Sequence, residues 1–363
     1  MDNRERMMAV FNRQKVDKLV WQPRLHYWYE VNKARGTLPR MYEKKDLLEI
    51  YDDLGASPRA YHYFNDTIEC VEGKDVQLEI SQDEDHVFTK YKTPKGNLTQ
   101  IERKTLFGTN KMRVEYFLKS VDDFEILKFI LKHQSYEFDK DLYMERDMLI
   151  GKRSEPMFTI QWGSIQKLTI LYMGLERAMI TVWKHQDKVK ELLEVFDEND
   201  DYKFNLLTKT PFKIFMFGDN IDENLCPPKL FRNYMLPYYQ KRTKELHENG
   251  RFCTSHWDGK IKHVLPFAEE TGLDGLECVP PLPQGNVTLE ELKEGLSNMI
   301  LFDGIPATHF LSFVEEDELE IFVRKMITLF SPNIILGISD MLPPEGDIEK
   351  VRKIGEIIAK HKV

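Results

Sequence analysis

The feature that most restricts the fold of this chain is a rhythm that begins near residue 155. Six short apolar runs recur there, each ending in polar, Gly or Pro residues: PMFTIQWGSI (156–165), FKIFMFGDNI (212–221), RFCTSHWDG (251–259), LDGLECVPP (273–281), NMILFDGIPATHF (298–310) and NIILGISDMLPP (333–344). Amphipathic stretches fill the gaps. PPKLFRNYMLPYYQKRTKELHENG opens on Pro227 and Pro228, and Gly250 suits the position just past a helix end. TLEELKEGL carries Thr288 and Glu291 in capping-box spacing. DIEKVRKIGEIIAKH puts Ile348, Val351, Ile354 and Ile358 on one stripe. Strand–helix alternation of this kind means parallel βα units, because parallel strands need a crossover that a helix supplies. KLVWQPRLHYW (18–28) reads as a further strand and GASPRAYHYF (55–64) as another, which brings the total to about the eight that close a barrel.

Residues 66–118 break the rhythm. VQLEISQDEDHVFTKYKTPKGNLTQIERKTLF alternates apolar and polar residues around turn signals at Gly73, Asp83–Asp85 and Pro94–Gly96. That pattern predicts antiparallel hairpins inserted into the barrel, as a lid, a partner surface or decoration. The expected organisation is therefore one domain over 1–363, with 66–118 as a hairpin-rich insertion. Its 42% hydrophobic content is enough for a real core, and a net charge of -9 without a basic stripe argues against nucleic acid as a partner. The charged start MDNRERMMAVFNRQKVDKL lacks the apolar stretch of a signal peptide, and no run reaches the ~18 apolar residues of a membrane span. Cys70, Cys226, Cys253 and Cys278 are widely spaced with no CxxC, which suits a reducing cytoplasm. A cytoplasmic location is expected.

The strand ends carry the chemistry. The run at 212–221 ends in Asp219 and Asn220, and the next gives His256 and Asp258. Glu277, then Asp303 and His309, then Asp340 follow on successive runs. In a βα barrel these ends converge on one mouth. Acids crowded into a partly dry space raise one another's pKa unless a cation or a shared proton relieves them. A His-x-Asp pair alone is usually hydrogen-bonded structure, and Asp219 could cap the helix that follows it. Glu277 and Asp340 stand out more, because each is a lone acid in an apolar strand, where an unpaired carboxylate is costly. Cys253 and Cys278 read as small buried hydrophobes. Aromatics gather where the mouth should be: Tyr27, Trp28 and Tyr29, the AYHYFN segment (60–65), Trp162 and Phe310. They would either line a pocket for a planar ring or pack the structure above it.

The segment FGDNIDENLCPPKLFRNYMLPYYQKRTKELHENGRFCTSHWDG and the ending GISDMLPPEGDIEKVRKI resemble the uroporphyrinogen decarboxylase superfamily. The resemblance covers roughly 150–363 and implies a (β/α)8 TIM barrel, here with an N-terminal β-hairpin insertion. The decarboxylase branch carries an Arg-Gln-x-Gly-Arg run after its first strand. This chain has WQPRLHYWYEVNKARG there, with Arg24 but not the motif. The cobalamin-dependent methyltransferase branch is the better likeness. Its zinc site is His-x-Cys, a glutamate on the next strand and a cysteine at the last strand end. His256, Asp258, Glu277 and Asp340 hold those places, with aspartates where that branch has cysteines.

The resemblance implies a methyltransferase that cleaves a methyl ether, such as a methoxyaryl compound. The methyl group would pass to the cob(I)alamin of a partner corrinoid protein, as in O-demethylation in anaerobic metabolism. His256, Asp258, Glu277 and Asp340 would then act on the leaving oxygen, through Zn²⁺, another divalent ion, or a shared proton with no metal. Asp219, Asn220, Trp162, Tyr29 and His309 would contact substrate. The alternatives are a uroporphyrinogen decarboxylase-like lyase, or methyl transfer from methylamine, betaine or methanol.

Overall fold

The computed structural model describes residues 1–105 and 111–361. Contacts divide the chain into two units. The first comprises Met1–Asn65, Tyr143–Gln161 and the chain from Phe212 onward, and the second comprises Asp66–Leu142 and Trp162–Pro211. In chain order the strands are β1 (Val20–Trp21), β2 (Ile68–Val71), β3 (Gln77–Gln82), β4 (His86–Thr93), β5 (Gly96–Lys104), β6 (Lys111–Glu115) and β7 (Ser135–Phe138). Then come β8 (Met157–Ile160), β9 (Ile214–Phe217), β10 (Phe252–His256), β11 (Gly275–Glu277), β12 (Ile300–Pro306) and β13 (Ile334–Ser339).

The first unit is built on seven parallel strands in the order β1-β13-β12-β11-β10-β9-β8. Strands β9, β11, β12 and β13 are buried at every position, as expected of parallel strands covered on both faces. The sheet is curled. Val20 of β1 and Met157 of β8 stand on opposite edge strands, yet both join one core cluster with Ile214, Met216, Ile300, Phe302 and Ile335. Helix α1 (Asn3–Phe11), started by a reciprocal Asp2–Glu5 capping box, adds Met7, Ala9, Val10 and Phe11 to the same cluster. The six runs after residue 155 each contain a strand, as the rhythm predicts. Thr288 and Glu291 form the capping box of helix Leu289–Leu296, and the stripe Ile348, Val351, Ile354 and Ile358 is buried on helix Ile348–Lys360.

The strand expected within 55–64 does not form. Gly55 turns the chain with a positive φ of 60°, Pro58 has no N–H to give a ladder, and Tyr61–Phe64 wind into a short helix. One rung survives, from Ser57 N to the Trp21 carbonyl at 2.8 Å. The eighth place in the barrel is thus held by an irregular segment, Ala56 to Ala60, in which every residue is buried. Between this segment and β1 lie helices α2 (His26–Arg35) and α3 (Leu47–Asp53), and after it comes α4 (Tyr61–Phe64).

In the second unit β3, β4, β5 and β6 form a four-stranded antiparallel sheet, the hairpins read from the alternation and turn signals. β2 pairs separately with β7. Among the described residues, no helix is long and apolar enough to cross a membrane.

The curled sheet makes a mutational test of the core direct. Ile300→Ala should lower unfolding stability by about 2–5 kcal/mol, because the void opens in a cluster shared by both sheet edges. A denaturant titration gives the value, and a loss below about 0.5 kcal/mol would contradict a packed barrel interior.

Candidate functional site

Register sets the site. His256 and Glu277 end neighbouring strands and are directly paired across the β10/β11 ladder. Gly304 pairs with Gly337 and Pro306 with Ser339 across β12/β13, which leaves Asp340 one residue beyond the last rung. Parallel strands with matched ends therefore bring His256, Glu277 and Asp340 to the same end of the sheet.

His256 Nδ1 lies 2.8 Å from Glu277 Oε2. Arg59 pairs with Glu277 Oε1 through Nη1 and with Asp303 Oδ1 through Nη2, the latter at 2.5 Å. Arg59, Glu277 and Asp303 are at most 1% exposed. Arg59 thus spans from the irregular eighth place to two strands, and its guanidinium stacks 4.2 Å from the centre of the Phe302 ring. Because Glu277 is an ionised acceptor held by a cation, His256 carries its proton on Nδ1 and leaves Nε2 open. Asp258 Oδ2 lies 3.6 Å and Asp340 Oδ1 3.9 Å from that Nε2. Asp340 is in turn paired with Arg24 Nη1 and accepts from the Cys278 thiol at 3.3 Å.

Charges decide the protonation states. Burial pushes Asp340 up, but Arg24 beside it, then His256, outweigh burial and hold it below the usual aspartate range. Burial raises Asp303, with Arg59 and Arg24 only partly offsetting it. Burial and then Asp340 hold the Cys278 thiol well above its ordinary range, so it stays protonated. The sequence called for a metal ion or a shared proton among these acids. The chain supplies two cations of its own, Arg24 and Arg59.

Local backbone supports the arrangement. Cys278 and Asp303 both adopt left-handed φ, 68° and 80°, which non-glycine residues rarely do. Such outliers, one just past the end of β11 and one within the neighbouring β12, are a common mark of a working site. Gly337 is the complement. A Cβ there would come within 2.0 Å of Asp303 Oδ1 and 2.8 Å of the Gln22 carbonyl, so only glycine lets the carboxylate pass.

The other expected contacts have surroundings of their own. Asp219 is buried and accepts from Tyr239 Oη at 3.0 Å, while Asn220 is exposed. His309 is buried against Phe322, ring centres 4.6 Å apart. Trp162 belongs to the second unit, where Arg113 stands 5.7 Å from its ring centre. Tyr29 lines a cavity of about 320 Å³ together with His26, Glu30, Arg59, His62 and Tyr63. Arg59 was missed in the sequence. Its only signal is a lone arginine in SPRAY, a segment otherwise read as a strand.

His256, Cys278 and Asp340 each turn one donor atom into a space less than 4.8 Å across. An imidazole nitrogen, a sulfur and a carboxylate oxygen fit a Zn²⁺-type ion, and a carboxylate on the other imidazole nitrogen is its usual companion. Cys278 thus joins the set in place of Glu277, whose two oxygens are engaged by Arg59 and His256. A second group of such donors, His247, Cys253 and Asp274, lies at the opposite end of β10 and β11.

No protein-family model matches the chain, and no curated protein matches it. Among solved structures, a methyltransferase from Methanosarcina mazei is similar over 99% of this chain and 99% of its own, with a TM-score of 0.65 and 13% identity. That likeness establishes the fold. A B12-independent methionine synthase from Shewanella matches over 94% of this chain and 97% of its own at 11% identity, but its TM-score of 0.41 supports no argument.

Removing Arg59 should expose the strain it relieves. Arg59→Met should cost about 3–5 kcal/mol, since two buried carboxylates lose their counter-charge, and adding Glu277→Gln should restore part of it. Denaturant midpoints of the single and double variants check this. His62 gives a pH test. Burial, then the nearby His26, Arg24 and Arg59, push its pKa down from 6.5 to about 2. The unfolded chain takes up that proton below pH 6.5 and the folded chain does not, so stability should fall as pH drops from 6.5. His62→Gln should flatten that slope in urea titrations between about pH 6.5 and 4.5.

Proposed function

We propose that this chain is a methyltransferase that cleaves a methyl ether, such as a methoxyaryl compound, and passes the methyl group to the cob(I)alamin of a partner corrinoid protein. One observation carries the reading: His256 has Nδ1 tied to buried Glu277 and Nε2 open towards Asp258, Asp340 and Cys278. The fold shared with a protein named as a methyltransferase is consistent with it.

An ether is a poor leaving group until its oxygen is protonated or bound to a Lewis acid. In the transfer the Co(I) electron pair forms the new bond to the methyl carbon. The C–O bond breaks, and its electron pair stays on oxygen. His256, once it has taken up a second proton on the open Nε2, hands that proton to the oxygen and is left neutral, with Nδ1–H still on Glu277. Three carboxylates stand around the ring, Glu277 on one nitrogen and Asp258 and Asp340 near the other. Asp340 is kept ionised by Arg24, so it steadies the imidazolium rather than competing as an acid. A zinc-type ion held by His256, Cys278 and Asp340 would supply Lewis acidity at the same oxygen.

A decarboxylase-like lyase needs cations free to hold substrate carboxylates. Arg24 and Arg59, the two guanidinium groups of the cluster, are each already paired with acids of the chain. That weighs against the lyase.

The test is to mix the protein with a Co(I)-loaded corrinoid protein and a methyl donor, and to follow the cobalt spectrum. Methoxyaryl ethers should convert Co(I) to methyl-Co(III), and His256→Gln should slow transfer by about 10²–10⁴-fold. Conversion only with methylamine, betaine or methanol would replace the substrate class, and no conversion with any methyl donor would sink the proposal.

A further inference from the structure

The two strands that end at His256 and Glu277 carry another cluster where they begin. Cys253 is the second residue of β10, and Asp274 stands just before β11. Three ladder rungs, from Thr254 with Gly275 to His256 with Glu277, follow these two residues. His256 lies three residues beyond Cys253 on one strand, about 10 Å along an extended chain. The two clusters are therefore separate sites.

Backbone fixes all three side chains of the lower cluster. Asp274 N donates to the Cys253 carbonyl at 2.8 Å, and Cys253 N donates to Asp274 Oδ2 at 2.7 Å. His247 sits in the last turn of helix Leu236–Glu248. Gly250, with a φ of 68°, turns the chain after that helix. Gly250 N and Arg251 N then return to the carbonyls of His247 and Leu246, at 2.9 and 3.0 Å. That pair of bonds is a Schellman stop, and it holds the short link from His247 to β10 in one shape.

The donor atoms meet in one place. His247 Nε2 lies 3.0 Å from Asp274 Oδ2 and 3.9 Å from Cys253 Sγ. One donor atom from each of the three residues lies within 4.8 Å of the others. Zinc bonds at tetrahedral angles would set nitrogen about 3.4 Å from oxygen and about 3.6 Å from sulfur, so shifts of roughly 0.4 Å close the shell. Imidazole, thiolate and carboxylate together offset two positive charges. Cys253 is buried, Asp274 partly buried and His247 exposed, so the helix side gives an ion its way in.

The same geometry removes other chemistries. In a nucleophilic triad the carboxylate holds one imidazole nitrogen and the nucleophile meets the other. Here both face Nε2. Burial, then Asp274, also hold the Cys253 thiol well above its ordinary range, which suits no nucleophile. A hard ion such as Mg²⁺ or Ca²⁺ calls for several oxygens, and this set offers one carboxylate. Arg13 Nη2, 3.3 Å from the Asp274 carbonyl, is a like charge that two anionic donors must outweigh. A sulfur-binding divalent ion fits the set.

We propose that His247, Cys253 and Asp274 form a binding site for a Zn²⁺-type ion. The ion displaces the thiol proton and ties the last turn of helix Leu236–Glu248 to the starts of β10 and β11. It stands at the opposite end of the ladder from His256, and it does not depend on the methyl-transfer reading.

Equilibrium dialysis of the full chain against Zn²⁺, followed by metal analysis, compares the unaltered chain with His247→Ala. The change removes an exposed ring and spares the strands. The variant should hold one zinc ion fewer per chain, because loss of a ligand should weaken binding by about 100-fold or more. The difference counts this site alone, whether or not the His256 cluster also takes an ion. With Co²⁺ as probe, the difference spectrum between the unaltered chain and His247→Ala should carry a near-ultraviolet thiolate-to-cobalt band. Cys253→Ser should lose that band. Zinc should also raise the thermal midpoint more in the unaltered chain than in His247→Ala. Equal zinc content in the unaltered chain and His247→Ala overturns the assignment. So does a difference spectrum without the thiolate band, since a surface imidazole alone would then hold the ion. Should Cys253→Ser fail to fold, the His247→Ala comparison still decides.

Discussion

One buried cation organises this molecule's mouth. Arg59 places its two terminal nitrogens on Glu277 and Asp303, from β11 and β12, while its own backbone belongs to the segment that stands in for an eighth strand. Without it two carboxylates would share a dry interior, at a cost of several kcal/mol for each ion. With it Glu277 stays ionised, and an ionised Glu277 is what fixes the His256 ring and its proton. The geometry of His256 is therefore a consequence of an ion network that begins across the barrel.

The barrel frame makes that network possible at modest cost in side-chain freedom. Parallel strands in register deliver His256, Glu277, Asp303 and Asp340 to one end with little choice left. Packing against the Phe302 ring holds the Arg59 guanidinium flat. Gly337 leaves room for the Asp303 carboxylate where any side chain would collide. Left-handed backbone at Cys278 and Asp303 stores some strain at the same place, and the buried strands on either side hold it there.

How much was legible follows from how local each signal is. The six runs after residue 155, the Pro227–Pro228 helix start, the Thr288–Glu291 box and the Ile348 stripe are short-range patterns, and each corresponds to an element. GASPRAYHYF failed because burial and strand pairing leave the same apolar signature, and Pro58 decides between them. Strand ends singled out His256, Glu277 and Asp340, because lone acids in apolar runs are conspicuous. Cys278 was passed over as a small hydrophobe, which its burial bears out, yet its left-handed turn aims the thiol at Asp340. His309 and Trp162 were proposed on position alone, and their rings lie against Phe322 and near Arg113 respectively.

The sequence by itself determined the parallel βα architecture and the gathering of acids with one histidine at its strand ends, since periodicity and strand order are properties of neighbouring residues. It also showed that so many acids call for a cation or a shared proton. Only the tertiary structure decided where the positive charge comes from. Arg59 is 218 residues from Glu277 and 244 from Asp303, and Arg24 is 316 from Asp340. No local pattern records a pairing across such distances. It exists because a curled sheet brings its two edges together, and a buried guanidinium is stable only where carboxylates from several strands converge on it.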